Sequence, residues 1–523
     1  MGEHVTPTEH WKPERPERLT DDAVREHART RPDRLATVGP SGSLTWQELD
    51  RAADRFAGRL AAMGLGIGAR IAWLGANDPG YLIALLGAWR RRAALVGLNW
   101  RLPTERVVDL ARVVDLDLVV AGPGFEDGAA AIEGAGVAKS LAGPLATPQD
   151  EVVPAEPLTP EPADEGLVLF TSGSTGMPKA VPLSRAAYGL ATAMPTPLGI
   201  TSESQLLIVP PLFHLAGALW AQYGLFFGAT QHYTDDATPA GLVDLITDRR
   251  ITHTVFVPAL ISAVVDEVGS SGRAVPSLEY IAYGASPITP TLLRRAIETL
   301  GCRFMQVYGM TEAGGMVSIL PHEEHQLEGE LSHRLESAGR PIPGVEVRIR
   351  ALVDQREMPT GEPGELWFRT PSMTTGYIGN DQATGEVLID GWLRTRDVGY
   401  VDEDGFVYVQ GRSDDMIITG GENVHPGQVE NVIDQLDAVL ECAVYGVEDE
   451  HWGQRVCAAV VARDEGLTEE DIREHCGGQL AGYQVPKTIT FVAALPRTAT
   501  GKVLRTKLSD EAPADRRSVH DAG

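Results

Sequence analysis

The sequence is poor in cysteine. Four cysteines stand in 523 residues, at 302, 442, 457 and 476, and no two form a C-x-x-C pair. That excludes a disulfide scaffold and predicts a reduced, cytoplasmic protein. Basic residues are outnumbered, with 45 Lys and Arg against 72 Asp and Glu and a net charge of −27. Nucleic acid and anionic membranes repel such a surface, so neither is an expected partner. No apolar run approaches the ~20 residues of a membrane span. The opening MGEHVTPTEHWKPERPERLT lacks an apolar h-region, which argues against secretion. Gly2 followed by Thr6 fits a myristoylation pattern only loosely and is read as chance; the closing SVHDAG carries no peroxisomal address. No internal repeat is present. What remains is 43% hydrophobic and 22% charged, a globular composition long enough for two or more cores.

The front of the chain alternates strand and helix. ARIAWLGAN (69–77), AALVGLN and LDLVVAG read as buried strands; PGYLIALLGAWRR (79–91) and PTERVVDLARVV read as helices between them. That rhythm predicts right-handed β-α-β units and an α/β fold with parallel-rich sheets. Residues 121–165 are rich in Ala, Gly, Pro and acids and are expected to be largely a surface connection. The alternation then resumes through GLVLF, SQLLIVPPL, THTVFVPAL, SLEYIAYGA and CRFMQVYG, with helices at PAGLVDLITDRR and TPTLLRRAIETLG. From about 335 shorter strands (VEVRIRA, GELWFR, GFVYVQG) suggest a small antiparallel or barrel-like unit. After GRSDDMIITGG comes a compact α+β pattern. The expected division is a large domain over 1–411 and a small one over 412–523, with a loose tail from 509.

One stretch is too polar for a core and too short for a linker: LFTSGSTGMPKAVPLS, residues 169–184. Closely spaced glycines and hydroxyls let backbone N–H and side-chain O–H groups converge on an anion, and Lys179 adds positive charge. A phosphate cradle is the functional alternative and an ordinary polar loop the plain one. It is not a Walker A loop, which needs Lys directly after the Gly of G-x-x-x-x-G-K-[ST], because Lys179 follows Gly176 by three residues.

Other motifs accompany it in order: PPLFHLAG (210–217), YGASP (283–287), VYGMTEAGG (307–315), RTRDVGY (394–400), GRSDDMIITGGENVHPGQVE (411–430) and PRTATGKVLR (496–505). Together they resemble the adenylate-forming enzymes: acyl-CoA synthetases, peptide-synthetase adenylation domains and luciferases. The resemblance runs from about 20 to 508. It implies an acid–thiol ligase that joins a carboxylate to the α-phosphate of ATP, releases pyrophosphate, and passes the acyl group to coenzyme A. Thr171, Ser172, Gly173, Ser174, Thr175, Gly176 and Lys179 would then hold the β- and γ-phosphates, and Thr311 would reach the α-phosphate side. Glu312 would bind Mg²⁺, a hard cation suited to carboxylate and phosphate oxygens. Read alone, the Thr-Glu pair is a helix start. Gly284, Ala285 and Ser286 would pass beside the adenine, Tyr308 would stack on it, and Gly309 follows in the same turn. Asp397 would accept both ribose hydroxyls, since a carboxylate can take two donors, and Arg412 would reach the ribose too. In isolation an Asp–Arg pair of this kind is a surface ion pair worth under ~1 kcal/mol.

By the same resemblance His214 is a gate between the acyl pocket and the thiol path. Asp414 is the hinge about which the small domain swings. Gly420 and Gly421 would flank the pantetheine tunnel, or simply form a hairpin turn. Lys502 would bridge the acyl carboxylate and the α-phosphate. Phe213, Gly217, Val257, Gly314, Gly315 and Met316 would line the acyl pocket. Those residues are apolar or small, which suits a hydrophobic aryl, alicyclic or medium-chain acid. HEEH (322–325) places its histidines three apart rather than four, so a solvated loop is expected there and not zinc. Arg92 and Gly97 stand where many members carry Gly and Pro, and His425 and Gln428 where Tyr and Glu are common. Alternative acceptors stay open. A free-standing enzyme loading a carrier protein is the first rival, although the gate segment lacks the Asp that would hold an amino acid. Luciferase-like oxidation and a non-catalytic nucleotide-binding protein are the others. A homodimer is also left open.

Overall fold

The computed structural model describes residues 19–143, 145, 158–171, 177–193, 198–234, 236–286, 288–449, 451–463, 466–497 and 503–512; the side chains of 191–193 are not described. The strands expected from the alternation are present. Among the described residues they gather into four sheets.

One sheet runs, in spatial order, Lys139–Leu141, Leu118–Ala121, Arg70–Leu74, Ala94–Gly97, Glu165–Thr171, Lys179–Ser184. Its first five strands are parallel, and the last pairs antiparallel with its neighbour. A second and larger sheet holds Arg303–Met310, Tyr280–Gly284, His253–Phe256, Gln205–Ile208 and Thr230–Tyr233 in a parallel row, closed by antiparallel strands at both ends. Residues 126–141, within the stretch expected to be largely a surface connection, are more ordered than their composition suggested. Glu126–Gly134 is a helix and Lys139–Leu141 a strand, because Ala129 and Ile132 bury one face against the first sheet.

Two helices are apolar on every side, and both are buried. Pro79–Arg90 starts where Asp78 accepts the amide of Gly80 and Pro79 presets the first turn. Leu215–Phe227 ends at Gly228, whose φ of +76° suits glycine. Such helices need a partner on each face, and here they join the core that the two large sheets share. The buried Arg90 lies within 3 Å of Asp21, Asp50 and Asp54, which ties together helices Thr20–Thr30, Trp46–Ala62 and Pro79–Arg90.

The small antiparallel unit consists of Glu346–Arg350, Gly364–Arg369, Leu388–Ile389, Trp392–Val401 and Val407–Arg412. Past it the chain builds separate cores. Val424, Val429, Ile433, Val444, Val456 and Ile489 belong to one, and Tyr445, Ala459, Leu495 and Leu508 to another; neither shares a residue with the large cores. The result is a large N-terminal domain followed by a small C-terminal one. Among the described residues no helix is long and apolar enough to cross a membrane.

Candidate active site

In parallel sheets the loops that leave the carboxyl ends of the strands form the binding crevice. Part of the candidate set lies there. Strands Glu165–Thr171, Gln205–Ile208, His253–Phe256, Tyr280–Gly284 and Arg303–Met310 deliver, respectively, the Ser/Thr/Gly stretch, the 210–217 segment, Val257, the 284–286 turn and Thr311–Glu312.

Thr171 and Lys179, which flank the hydroxyl-rich stretch, face each other across an antiparallel pair. Ser172, Gly173, Ser174, Thr175 and Gly176 lie outside the described residues. The hydroxyl of Thr171 donates to Oε1 of Glu312 at 3.3 Å. The Tyr377 hydroxyl donates to the same oxygen at 2.9 Å, and Lys179 Nζ lies 5.0 Å from the centre of the Tyr377 ring. Burial, then the Glu312 charge beside it, holds the Tyr377 phenol well above its ordinary pKa, so it stays protonated as a donor. Glu312 sits in the 3₁₀ turn Thr311–Ala313, fixed from behind by the Thr374 amide on its own carbonyl at 2.8 Å. The side-chain donors here are oxygens. Mg²⁺ takes one or two carboxylates and completes its shell with phosphate oxygens and water, so this set fits that ion.

A second cluster surrounds Asp397, which is 8% exposed. Its Oδ2 accepts the Tyr308 hydroxyl at 2.5 Å and its Oδ1 faces Arg412 at 3.3 Å. Burial, followed by the Asp397 charge, raises the Tyr308 phenol well above its usual value. The Tyr308 ring packs 5.8 Å from that of Phe368. Residue 396 is Arg although φ there is +64°, a left-handed backbone that favours glycine. Its guanidinium reaches Glu386 at 3.1 Å and Asp414 at 3.5 Å. Asp414, in the turn Ser413–Asp415, also lies 3.9 Å from Arg412.

The glycines of the motifs permit close backbone approach. A Cβ on Gly309 would lie 2.1 Å from the Gly315 carbonyl oxygen, one on Gly284 2.2 Å from that of Val307, and one on Gly314 2.0 Å from that of Ser372. Ala285 adopts φ +68° at the turn, followed by half-buried Ser286. Met316 is strand partner to Gly309. Gly315 has φ +151°. The space a Gly217 side chain would fill is taken by the carbonyls of Pro210 and Pro211. His214 precedes the buried helix Leu215–Phe227, with its ring 4.5 Å from that of Phe213. Gly420 and Gly421, at φ +60° and +87°, form the tip of the hairpin between Ile417–Thr419 and Glu422–Val424. Thus the hairpin-turn alternative describes their backbone.

Lys502 lies outside the described residues. The flanks of its loop are fixed. Arg497 and Val503 form an antiparallel bridge, Arg497 pairs with Glu441, and Arg505 pairs with Glu430 at 2.7 Å and Asp415 at 3.5 Å. The HEEH segment is not the solvated loop expected. His325 is buried, accepts or donates at 2.9 Å with the Tyr283 hydroxyl, and is pushed by burial down to about 4. Among the described residues no group of three or more His, Cys, Asp or Glu is placed to hold a metal.

Sequence reasoning overlooked Asn77 and Tyr377. The Asn77 side chain donates toward the carbonyls of Ile208, Val209 and Pro210 (3.0–3.3 Å) and accepts the Leu212 amide at 3.0 Å, clamping the segment that leads to His214. Asn77 closes the strand motif ARIAWLGAN, and an amide at a strand's carboxyl end was the signal available.

The chain matches the AMP-binding enzyme family over residues 24–378 and the AMP-binding enzyme C-terminal domain over 428–502. It is 34% identical over 497 residues to a fatty acid–[acyl-carrier-protein] ligase of Streptomyces coeruleorubidus, covering 92% of this chain and 94% of the relative. It is 32% identical over 483 residues to a feruloyl-CoA synthase of an Amycolatopsis species, covering 91% and 96%. Among solved structures it superposes on the o-succinylbenzoate CoA synthetase of Bacillus subtilis holding an acyl-adenylate intermediate, with TM-score 0.83, 27% identity and coverage of 95% and 99%. The same synthetase with ATP and magnesium ion gives TM-score 0.81, again at 27% identity, over 93% and 98%.

Proposed function

The chain belongs to the AMP-binding enzyme family, and from that premise we propose that it is an AMP-forming acid–thiol ligase acting on a hydrophobic carboxylic acid. In the first half-reaction a carboxylate oxygen attacks the α-phosphorus of ATP; the bond to the β-phosphate breaks and pyrophosphate leaves. In the second, the sulfur of coenzyme A attacks the activated carbonyl carbon, the bond to the phosphate oxygen breaks, AMP leaves, and the thiol proton passes to solvent.

The observation that carries this is the meeting of Thr171 and Lys179, which flank the hydroxyl-rich stretch, with Glu312, directly for Thr171 and through Tyr377 for Lys179. The first half-reaction crowds anions, so positioned donors and cations supply most of the catalysis. Thr171, Ser172, Ser174, Thr175 and Lys179 hold the terminal phosphates, with the amides of Gly173 and Gly176 beside them, and Thr311 faces the α-phosphate. Glu312 holds Mg²⁺, which when bound neutralises phosphate charge. Asp397 and Arg412 hold the ribose. Lys502 meets the carboxylate and α-phosphate in the adenylating pose. The small domain, taken from residue 412, then turns about Asp414 so that Gly420 and Gly421 flank the pantetheine arm, while His214 opens the thiol path. The apolar stretch from Phe213 and the backbone around Gly314–Met316 favour an aryl, alicyclic or medium-chain acid. Four free thiols, buried or half-buried, support placement in the cytoplasm.

A second acceptor has specific support, because the relative from S. coeruleorubidus is a carrier-protein ligase. Coenzyme A and a carrier protein present the same phosphopantetheine thiol, so one tunnel serves both. The test is mass spectrometry of reactions containing ATP, Mg²⁺ and a panel of carboxylic acids, with either acceptor. An acyl-AMP followed by an acyl-CoA supports the proposal. Loading of the carrier alone selects the second acceptor, and no acyl-AMP with any acid refutes both.

A further inference from the structure

Tyr377 touches both charged members of the phosphate site. Its hydroxyl donates to Glu312 and its ring lies under the Lys179 ammonium. Glu312 and Lys179 are opposite charges with Tyr377 as their common neighbour. Direct pairing would neutralise the two groups that must separately meet cation and phosphate.

The backbone around Tyr377 is built to hold it there. The Thr374 hydroxyl donates to the Pro182 carbonyl at 2.7 Å, and the Ile378 amide to the Ala180 carbonyl at 2.9 Å; both acceptors lie on the strand that begins at Lys179. The Thr374 amide donates to the Glu312 carbonyl at 2.8 Å. The Tyr377 amide donates to the Thr384 hydroxyl at 2.9 Å. Gly376 has φ +142°, and a Cβ there would lie 2.6 Å from Thr384 Cγ2. Residues 374–378 therefore form a strap from the edge strand of the six-stranded sheet to the 3₁₀ turn that joins two strands of the larger sheet.

We propose that Tyr377 is a positioning residue that holds the Glu312 carboxylate toward the metal through its hydroxyl and the Lys179 ammonium toward phosphate through its ring. The inference rests on the ligase reading above. The two roles separate chemically. Tyr377→Phe keeps the ring and removes the donor; Tyr377→Leu removes both.

The test is binding to the full chain, with Mn²⁺ as a paramagnetic probe titrated in the presence of ATP, and with ATP alone titrated calorimetrically in EDTA. A hydrogen bond to a charged group is worth enough that Tyr377→Phe is expected to weaken Mn²⁺ binding about 10-fold or more. It should leave metal-free ATP binding unchanged. Tyr377→Leu should show the metal defect and weaken metal-free ATP binding about 2- to 5-fold, the worth of a partly exposed cation–π contact. In a Glu312→Gln background Tyr377→Phe should cause no further loss. Near-UV circular dichroism checks folding, and the near-isosteric Phe variant alone decides the metal arm if Leu misfolds. Wild-type Mn²⁺ affinity in Tyr377→Phe would overturn the inference and leave the ligase proposal standing, as would an additional 10-fold loss on top of Glu312→Gln. No ATP binding by the wild-type chain would overturn the ligase proposal and this inference with it.

Discussion

Replacing Asp397 by Asn swaps a carboxylate for an amide of equal size in a site that is already specified. The carboxylate accepts the Tyr308 hydroxyl at 2.5 Å and faces Arg412 at 3.3 Å. A hydrogen bond to a charged group contributes about 1.5–3 kcal/mol. The Arg412 side chain is 45% exposed, which limits that pair to about 0.2–1 kcal/mol. The cost to folding is thus dominated by Tyr308, and a lower thermal midpoint is expected. The effect on nucleotide is more diagnostic. An ionised Asp accepts at both oxygens, whereas Asn accepts at one and donates at the other. One ribose hydroxyl therefore loses its acceptor, a loss of about 10- to 150-fold in ATP affinity at 1.5–3 kcal/mol. Calorimetric titration of ATP and of 2′,3′-dideoxy-ATP measures this directly. The wild-type chain should prefer ATP strongly, and Asp397→Asn should reduce that preference by about 10- to 150-fold. A variant that still discriminates the two nucleotides as well as wild type would refute the assignment of Asp397 to the ribose.

Other outcomes follow from the same structure. Lys502→Ala should slow acyl-AMP formation by about 10²–10³-fold while leaving thioester formation from synthetic acyl-AMP near wild type; separate assays of the two half-reactions on one preparation check it, and a folding defect would depress both. Acid preference is better probed at Met316 than at Gly315, whose φ of +151° would strain any side chain; Met316→Ala should shift preference toward bulkier acids by about 10–200-fold per methylene accommodated, read from kcat/KM across an acid series. Burial pushes the Asp434 carboxyl, beside the Cys442 thiol, up to about 7 from its usual 3.8. A carboxyl whose folded pKa is raised lends stability below about pH 4 and loses it as pH climbs through about 7. The thermal midpoint of the small domain should fall over that window, and Asp434→Asn should flatten the profile.

How much of this was legible beforehand depended on whether the signal was local. The apolar run 79–89 and the alternating strands state their burial within about ten residues, and the structure places them as expected. The glycines and hydroxyls of 171–179 left an anion cradle and a plain polar loop both open, and the antiparallel pairing of Thr171 with Lys179 was not legible in them. Tyr377 was invisible because its partners, Glu312 and Lys179, lie far away in sequence and the strap that carries it has no periodicity. The 126–141 stretch was misjudged because its Ala and Gly content masked a helix that needs only Ala129 and Ile132 to anchor it. The departures from the family pattern acquire physical reasons. Arg92 occupies φ +57°, where glycine is easier, and its guanidinium grips Asp164 at 2.8 and 2.9 Å. Gly97 has no room for a side chain, because a Cβ would lie 2.9 Å from the Phe213 backbone.

The central claim is acid-dependent adenylation, and exchange of labelled pyrophosphate into ATP tests it most directly. The full chain, given Mg²⁺ and a hydrophobic carboxylic acid, should incorporate label. Incorporation should stop when the acid is omitted, when EDTA removes the metal, or when Lys502 is replaced by Ala. No exchange with any acid of a broad aryl, alicyclic and aliphatic panel, or exchange indifferent to acid and metal, would contradict the account.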